Sequence, residues 1–277
     1  MDGCDTAHCA WLEPVREAYQ RSPLTMKTLS PRLHIATSKI SELLSGRLYP
    51  RWELLQALAA ELSLPAGPLY RLWRQAAPDI RRKSRSWQEQ PPVAVAVRPA
   101  PPMDHTAFRA LTEAGYDFYA SVFLPDPQRD AAVRDTYDQL WLSWNKALAS
   151  ADTRRHAWEV LRTSVMSRTP HIDGRPQFTH AAFDTVALRD LSGPEQIEAA
   201  TAQLTETEAL FRAMSRLPGH QLDVVVLRSL GGIAMKQVSD LLGLPLATVR
   251  SDERHATRFL DSILCSDSPP DPEGNPS

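Results

Sequence analysis

The chain contains 277 residues, of which 43% are hydrophobic and 23% charged, and these shares are ordinary for a globular protein in water. No run approaches the roughly 18 apolar residues that a membrane-spanning helix needs, and three cysteines are too few for a disulfide framework. The formal net charge of -2 excludes neither nucleic acid nor protein as a partner, because basic residues are in excess over residues 1–90 and acidic residues over residues 181–277.

Stretches with helical periodicity, separated by breaks rich in Pro and Gly, predict an all-α protein built from several modules. At about 100–200 residues per domain, the length is enough for two or three of them. Apolar residues recur with helical period between the breaks, and no convincing alternating strand is found. The predicted division is a helix-turn-helix module over residues 10–86, a Pro-rich linker over 87–103, a helical module over 104–170, a linker over 171–203, a second helix-turn-helix module over 204–264 and a disordered tail over 265–277.

The N-terminal module contains a short amphipathic helix within the stretch Ala36-Thr-Ser-Lys-Ile-Ser-Glu-Leu-Leu-Ser-Gly-Arg47. Its apolar side chains, Ile40, Leu43 and Leu44, face inward at helical spacing, and Gly46 ends the helix. Short polar side chains on the outer face suit base edges and phosphates. The candidate DNA contacts of this helix are Thr37, Ser38, Lys39, Ser41 and Arg47.

The stretch Ser45-Gly-Arg-Leu-Tyr-Pro-Arg-Trp52, followed by a helix ending Leu-Trp-Arg-Gln-Ala-Ala77, resembles the lambda-repressor-like (XRE) helix-turn-helix family. The resemblance implies that the N-terminal module binds DNA. One departure is Pro31, which occupies an ordinary helical position of the first motif helix. The following stretch, from Gln88 to Pro102, contains five prolines and predicts a semi-rigid linker.

The middle module contains a strongly amphipathic pattern from Val133 to Leu148. It predicts either a core helix of a small bundle or a docking helix. The stretch Asp135-Thr-Tyr-Asp-Gln-Leu-Trp-Leu-Ser-Trp144 resembles the helix of sigma-factor region 2 that docks on the clamp of RNA polymerase. The resemblance implies polymerase contacts at Asp135, Tyr137, Asp138, Leu140 and Trp141.

The middle module departs from region 2 where that region melts and reads promoter DNA. The helix that would perform this step, over Thr163 to Pro170, is short and nearly neutral here. The resemblance therefore leaves promoter melting in question, while polymerase binding stays an expectation.

The C-terminal module contains the clearest helix-turn-helix pattern of the chain. Val238, Leu241 and Leu242 have helical spacing, Gly243 can adopt the left-handed conformation that ends a helix, and Pro245 fits the start of the next one. The pattern predicts either a DNA reader or a structural helical hairpin.

The wider segment from Leu217 to Ser251, with Leu-Gly-Leu-Pro followed by Thr-Val-Arg-Ser, resembles region 4 of the extracytoplasmic-function (ECF) group of bacterial sigma factors. The resemblance implies that its second helix reads the upstream (-35) promoter element. Spacing along this helix places Arg258 on the same face as the implied contacts. These candidate DNA contacts are Thr248, Arg250, Ser251, Arg254 and Arg258.

Two acids lie beside that arginine face. Asp252 is expected to be solvated or to cap the helix, because it falls off the arginine face near the helix start. Glu253 stands where the resembled family usually has leucine. It is expected to pair with Arg250 or Lys236, to weaken the packing of the motif, or to meet another cation.

No catalytic motif is found: the chain has no phosphate-binding glycine loop, nucleophile elbow or metal-ligand helix. We therefore expect no enzyme, no metal and no cofactor. The expected function is a sigma-factor-like transcription regulator that acts with RNA polymerase in promoter recognition and initiation. One alternative is a DNA-binding repressor or activator whose sigma-like half no longer supports promoter melting, and another is a protein-interaction scaffold.

The expected partners follow from that function. They are double-stranded DNA, core RNA polymerase, and an anti-sigma or other regulatory protein, with no membrane. The first residues, Met-Asp-Gly-Cys-Asp, have neither the basic start nor the apolar stretch of a secretory signal, so a cytoplasmic, nucleoid-associated location is expected.

Overall fold

The computed structural model of the chain describes residues 6–81, 100–179, 182 and 207–266. These residues are mostly helical, which confirms the predicted all-α class. In chain order the elements are α1 Thr6–Arg21, α2 Met26–Leu33, α3 Thr37–Leu44, α4 Trp52–Glu61, α5 Ala66–Arg81, α6 Met103–Phe123, α7 Asp126–Leu142, α8 Trp144–Ala149, α9 Thr153–Met166, β1 His171–Ile172, β2 Arg175–Pro176, α10 over residues 207–214, α11 Gly219–Val225, a π-helical turn Val226–Leu230, α12 Met235–Leu242 and α13 Leu246–Ser266.

The chain divides into two compact units. The first unit takes its described residues from 1–111 and 134–153, and the second takes them from 112–133 and 154–277. The middle module predicted over residues 104–170 therefore contributes helical segments to both units.

The first unit is organised around a core that the N-terminal helices share. Trp11, Leu55 and Leu58 are fully buried in it, and Leu142 at the end of α7 belongs to the same cluster. Helix α2 starts with a capping box in which Thr25 and Thr28 satisfy each other's backbone amides. The helix continues through Pro31, whose ring is exposed.

A buried carboxylate, that of Asp223 of α11, connects three helices of the second unit. Tyr119 donates to its Oδ1 at 2.7 Å, Trp158 donates to its Oδ2 at 3.0 Å, and the Nε of Arg162 donates to both oxygens. Burial raises the pKa of Asp223 above its ordinary value, although the guanidinium of Arg162 and these hydrogen bonds act in the opposite direction. The cluster joins α6, α9 and α11 in one core.

Helix α6 also approaches the C-terminal motif closely inside the second unit. A Cβ atom placed on Gly115 would lie 2.6 Å from Cδ1 of Leu241, closer than two carbon atoms can approach. Glycine at this position therefore permits the contact between α6 and α12.

The amphipathic helix predicted over Val133 to Leu148 is interrupted. Helix α7 ends at Leu142 and α8 begins at Trp144, with Ser143 between them. Tyr137 and Trp144 are buried as the pattern requires, but Leu148 is half exposed on the separate helix α8. The prediction of one continuous buried face was wrong at its C-terminal end because the chain turns at Ser143.

A short hairpin corrects the expectation that the chain has no strand. His171 pairs with Pro176, and Ile172 pairs with Arg175 in antiparallel register. The two turn residues, Asp173 and Gly174, have φ values of 52° and 73°, as a type I′ turn requires. The Asp-Gly pair is the signal from which this hairpin could have been predicted.

Part of the predicted linker over residues 171–203, the segment after the hairpin, packs against the second unit's helices. Phe178 contacts the rings of Phe123 and Phe211 at centroid distances of 5.3 and 4.8 Å, and the amide of Thr179 donates to the carbonyl of Val122. Residues 180, 181 and 183–203 of this linker, residues 204–206 of the C-terminal module, residues 87–99 of the Pro-rich linker and residues 267–277 of the tail lie outside the described residues. Among the helices that are described, none combines the length and the hydropathy needed to cross a membrane.

Candidate nucleic-acid interface

The first unit and the second unit each contain a helix-turn-helix motif, and the two motifs have the same register. The first helix of each, α2 and α12, has eight residues. Three residues follow in each case, 34–36 and 243–245, before α3 and α13 begin. The buried positions also correspond. Counted from the start of each motif, Leu29 matches Val238, Leu33 matches Leu242 and Ile40 matches Val249.

The turns of the two motifs are built from the same contacts. The hydroxyl of Ser30 donates to the carbonyl of Ile35 at 2.7 Å, and that of Ser239 donates to the carbonyl of Leu244 at 2.6 Å. The residue after each first helix is left-handed, with φ of 53° at His34 and 62° at Gly243. The prediction that Gly243 ends its helix in this conformation is confirmed.

The outer face of α13 carries the predicted cations. Arg250, Arg254 and Arg258 are exposed together with Thr248, whereas Ser251 is half-buried. Val249 and Ala256 are fully buried on the opposite side, and Leu260 is nearly so. None of the three arginines forms an ion pair with a residue in the described part of the chain, so their charges face solvent.

The outer face of α3 is polar but less cationic. Thr37, Ser38 and Lys39 are exposed, and Ser41 is half-buried. Lys39 donates to the carboxylate of Glu42 at 2.8 Å, so part of its charge is neutralised locally.

Arg47 follows α3 and is also exposed. Its Nε donates to the hydroxyl of Ser45 at 3.0 Å. The structure therefore places every predicted contact of the two motifs on the second motif helix or directly after it.

The environment of Asp252 differs from the expectation. It is buried, with a relative exposure of 8%, rather than solvated, and its side chain does not cap α13. Its Oδ1 lies 3.5 Å from Nε2 of His220, and its Oδ2 has no hydrogen-bond partner. By register it stands where the first motif has Leu43, which is fully buried. The prediction was wrong because Asp252 faces the motif core.

The partner of Glu253 is a residue that the sequence did not indicate. Arg228, on the π-helical turn, donates from Nε to the carboxylate of Glu253 at 3.0 Å and from Nη1 to the carbonyl of Ile233 at 2.7 Å. The expected pairing with Arg250 or Lys236 was wrong, and the alternative that Glu253 meets another cation is confirmed. Glu253 therefore connects α13 to the π-helical turn. In the first motif, the same register position is occupied by Leu44.

The residues implied in polymerase contact lie on α7 in the first unit, on two sides of the helix. Asp135 and Asp138 face α5, where Gln75 donates to Asp135 at 2.8 Å and Arg71 donates to both oxygens of Asp138 at 2.6 and 2.5 Å. Both carboxylates are buried. The resemblance gave no indication of this contact with α5.

The other three implied contacts lie towards α6. Tyr137 is buried beneath His105, which donates to its carbonyl at 3.1 Å, and beneath Arg109, whose guanidinium lies 5.0 Å from the ring centroid. Leu140 is fully buried and Trp141 is half-buried.

Several residues with structural roles at these sites were not singled out from the sequence. Asp223 had a usable signal, because an acid inside the run Leu-Asp-Val-Val-Val must be buried whenever that helix is packed. Arg71, Gln75 and Arg228 had none, since their partners are distant in sequence.

Comparisons of this chain with protein-family models, with curated proteins and with solved structures found no match. Within the described ranges, no group of three or more His, Cys, Asp or Glu side chains is arranged to hold a metal ion.

Proposed function

We propose that this protein is a sequence-specific DNA-binding transcription regulator that binds double-stranded DNA through its two helix-turn-helix motifs. Such a role needs no catalytic group and no cofactor, and it would place the protein in the cytoplasm on the nucleoid.

The observation that carries this proposal is the shared register of the two motifs. A structural hairpin needs only a buried seam, whereas a DNA reader also needs an exposed second helix with donors on its outer face. Arg250, Arg254 and Arg258 meet that requirement, since they form one exposed, unneutralised row along α13. Helix α3 offers the hydroxyl of Ser41 at the position of Arg250, and the exposed side chains of Thr37, Ser38 and Lys39 lie near its start.

The test is a binding measurement on the triple variant R250A/R254A/R258A. A duplex is first selected in vitro with the wild-type protein, and binding is then followed by fluorescence anisotropy at several salt concentrations. We expect affinity to fall roughly 100-fold or more, because each lost contact is worth on the order of 1 kcal/mol or above. The slope of log K against log salt should become shallower by about 1 for each phosphate contact removed.

The matched control is R155A/R175A/R212A, which removes the same charge from exposed positions of the second unit outside the motif. It should keep nearly all of the wild-type affinity. An equal loss in both triple variants would mean that only overall charge matters, and undiminished binding in the first would exclude α13 as the reader.

The second candidate function is a sigma-factor-like role in initiation with RNA polymerase. The favouring observation is that Asp135 and Asp138 lie three residues apart on one side of α7, in the helix that resembles the polymerase-docking helix. Binding of core RNA polymerase, measured by size-exclusion chromatography, tests this role. Independent migration of the purified protein and core RNA polymerase would exclude it.

A further inference from the structure

The side of α13 that carries the arginine row also carries an acid, Glu253. Ala247, Arg250, Glu253 and Arg254 line a concavity of about 450 Å³ on this helix. Pockets for small ligands have volumes of about 300–1,000 Å³, but their walls are mostly apolar, whereas three of these four side chains are charged. The concavity therefore suits a polar group that approaches the surface of the helix.

The carboxylate of Glu253 has one oxygen engaged and one available. Arg228 donates from Nε to Oε1 at 3.0 Å, and no residue in the described part of the chain donates to Oε2. The side chain keeps 29% of its surface exposed. Because Arg228 also donates from Nη1 to the carbonyl of Ile233 at 2.7 Å, the carboxylate is held in one orientation. Oε2 is thus a positioned hydrogen-bond acceptor on a partly exposed side chain.

The surrounding charges make this acid compatible with DNA. Arg228 contacts the carboxylate, and Arg250 and Arg254 line the same concavity, so one carboxylate lies among three guanidinium groups. Arg254 also donates from Nε to the backbone carbonyl of Arg250 at 3.3 Å, which keeps its side chain along the helix. The net charge around the concavity is therefore positive, and it attracts the phosphates of DNA.

Donors and an acceptor in one concavity match the edge of a base pair. In the major groove, guanine presents two acceptors that arginine can bind, and cytosine presents an amino group from which a carboxylate can accept. The phosphate oxygens of DNA are acceptors, so Oε2 cannot bind them. Among the groups that DNA presents to this helix, the partner that suits Oε2 is the amino group of a base.

The first motif has no equivalent of this set of side chains. At the register positions of Arg250 and Glu253 it has Ser41 and Leu44. Leucine is also usual at the position of Glu253 in the sigma-factor family that this segment resembles. The fold of the motif therefore does not require an acid at this position, since the first motif keeps the same register without one.

We propose that Glu253 is a specificity-determining residue of the C-terminal motif, whose Oε2 accepts a hydrogen bond from the amino group of a cytosine in the major groove. Arg250 and Arg254 donate to the neighbouring bases or phosphates, and Arg228 is the positioning residue that holds the carboxylate. The inference rests on the proposed function, DNA binding through α13, and adds the base that this side chain selects.

The test measures base preference with the full chain. A duplex is first selected in vitro with the wild-type protein, and each base pair of the site is then changed in turn to the other three. Fluorescence anisotropy gives the Kd for every duplex. We expect the wild type to prefer cytosine at one position by roughly 10-fold or more, because a good contact between a side chain and a base discriminates by about this factor.

Two substitutions of Glu253 separate base reading from a structural role. E253L removes the acceptor and introduces the residue of the same register position in the first motif, so it should abolish the preference at that base pair and leave the others. E253Q keeps an oxygen for Arg228 and presents an amide donor instead of Oε2. Its preference should move from cytosine to thymine, whose O4 acceptor replaces the cytosine amino group.

The matched control is E208Q, which changes an exposed glutamate of the same unit that is also paired with an arginine, Arg212. It should keep the base preferences of the wild type. Unchanged preferences in E253L and E253Q would overturn the inference, and so would a uniform weakening on every duplex, which would leave Glu253 only its contact with Arg228. Failure of the proposed function gives a different result, a wild-type affinity that does not depend on the three arginines of α13.

Discussion

At the scale of single residues, the two motifs show how one position can be filled in two chemically different ways. Leu43 and Asp252 occupy the same register position, and both are buried. The leucine contributes apolar burial. The aspartate keeps Oδ2 without a hydrogen bond, and its other oxygen is 3.5 Å from His220. An unsatisfied buried acceptor costs on the order of 1–3 kcal/mol.

We therefore expect D252L to stabilise the C-terminal motif by about 1 kcal/mol, since leucine has the same branched shape, removes the buried carboxylate and adds apolar burial. Urea unfolding followed by circular dichroism gives the free energy of unfolding. D261L, at an exposed position of the same helix, is the control and should change stability little. Destabilisation by D252L would mean that the contact with His220 outweighs the cost of burial.

At the scale of elements, the turns of the two motifs have the same hydrogen bonds but different left-handed residues. His34 has φ of 53° without being glycine, whereas Gly243 adopts φ of 62° with no Cβ to clash. A side chain in this conformation costs roughly 1 kcal/mol or somewhat more. The N-terminal motif therefore carries backbone strain that the C-terminal motif avoids.

H34G is expected to stabilise the first motif by a few tenths to about 1 kcal/mol, offset in part by the greater freedom of glycine in the unfolded chain. G243A should destabilise the second motif by about 1 kcal/mol because alanine must adopt the same left-handed angle. Thermal unfolding of the two variants and the wild type compares them directly. Equal shifts in the same direction would contradict the assigned strain.

Much of each element could be predicted from the sequence because its signal is local. The exposed arginine row of α13 followed from helical spacing, and the end of α12 followed from Gly243. The burial of Asp252 could not be predicted, because a helical wheel of α13 alone does not show how far the core of the motif extends around that helix. The pairs of Glu253 with Arg228 and of Asp138 with Arg71 depend on packing between elements distant in sequence.

At the scale of the whole molecule, the two units have independent stabilising centres. The first has the apolar core that includes Trp11 and Leu55, and the second has the buried cluster around Asp223. The residues that form this cluster come from both the middle and the C-terminal segments of the sequence. A destabilising substitution at one centre should therefore increase local unfolding in its own unit before it does so in the other.

We expect D223A to increase amide hydrogen exchange in α9 and α11, because Arg162 loses its buried counter-charge, at a cost of about 3–5 kcal/mol. Amides of α1 and α4 should keep wild-type protection. L55A, which leaves a cavity in the first unit at a cost of about 2–5 kcal/mol, should give the reverse pattern. The measurement is exchange mass spectrometry on the full chain under native conditions. A uniform loss of protection in both variants would mean that the two units open as a single cooperative body.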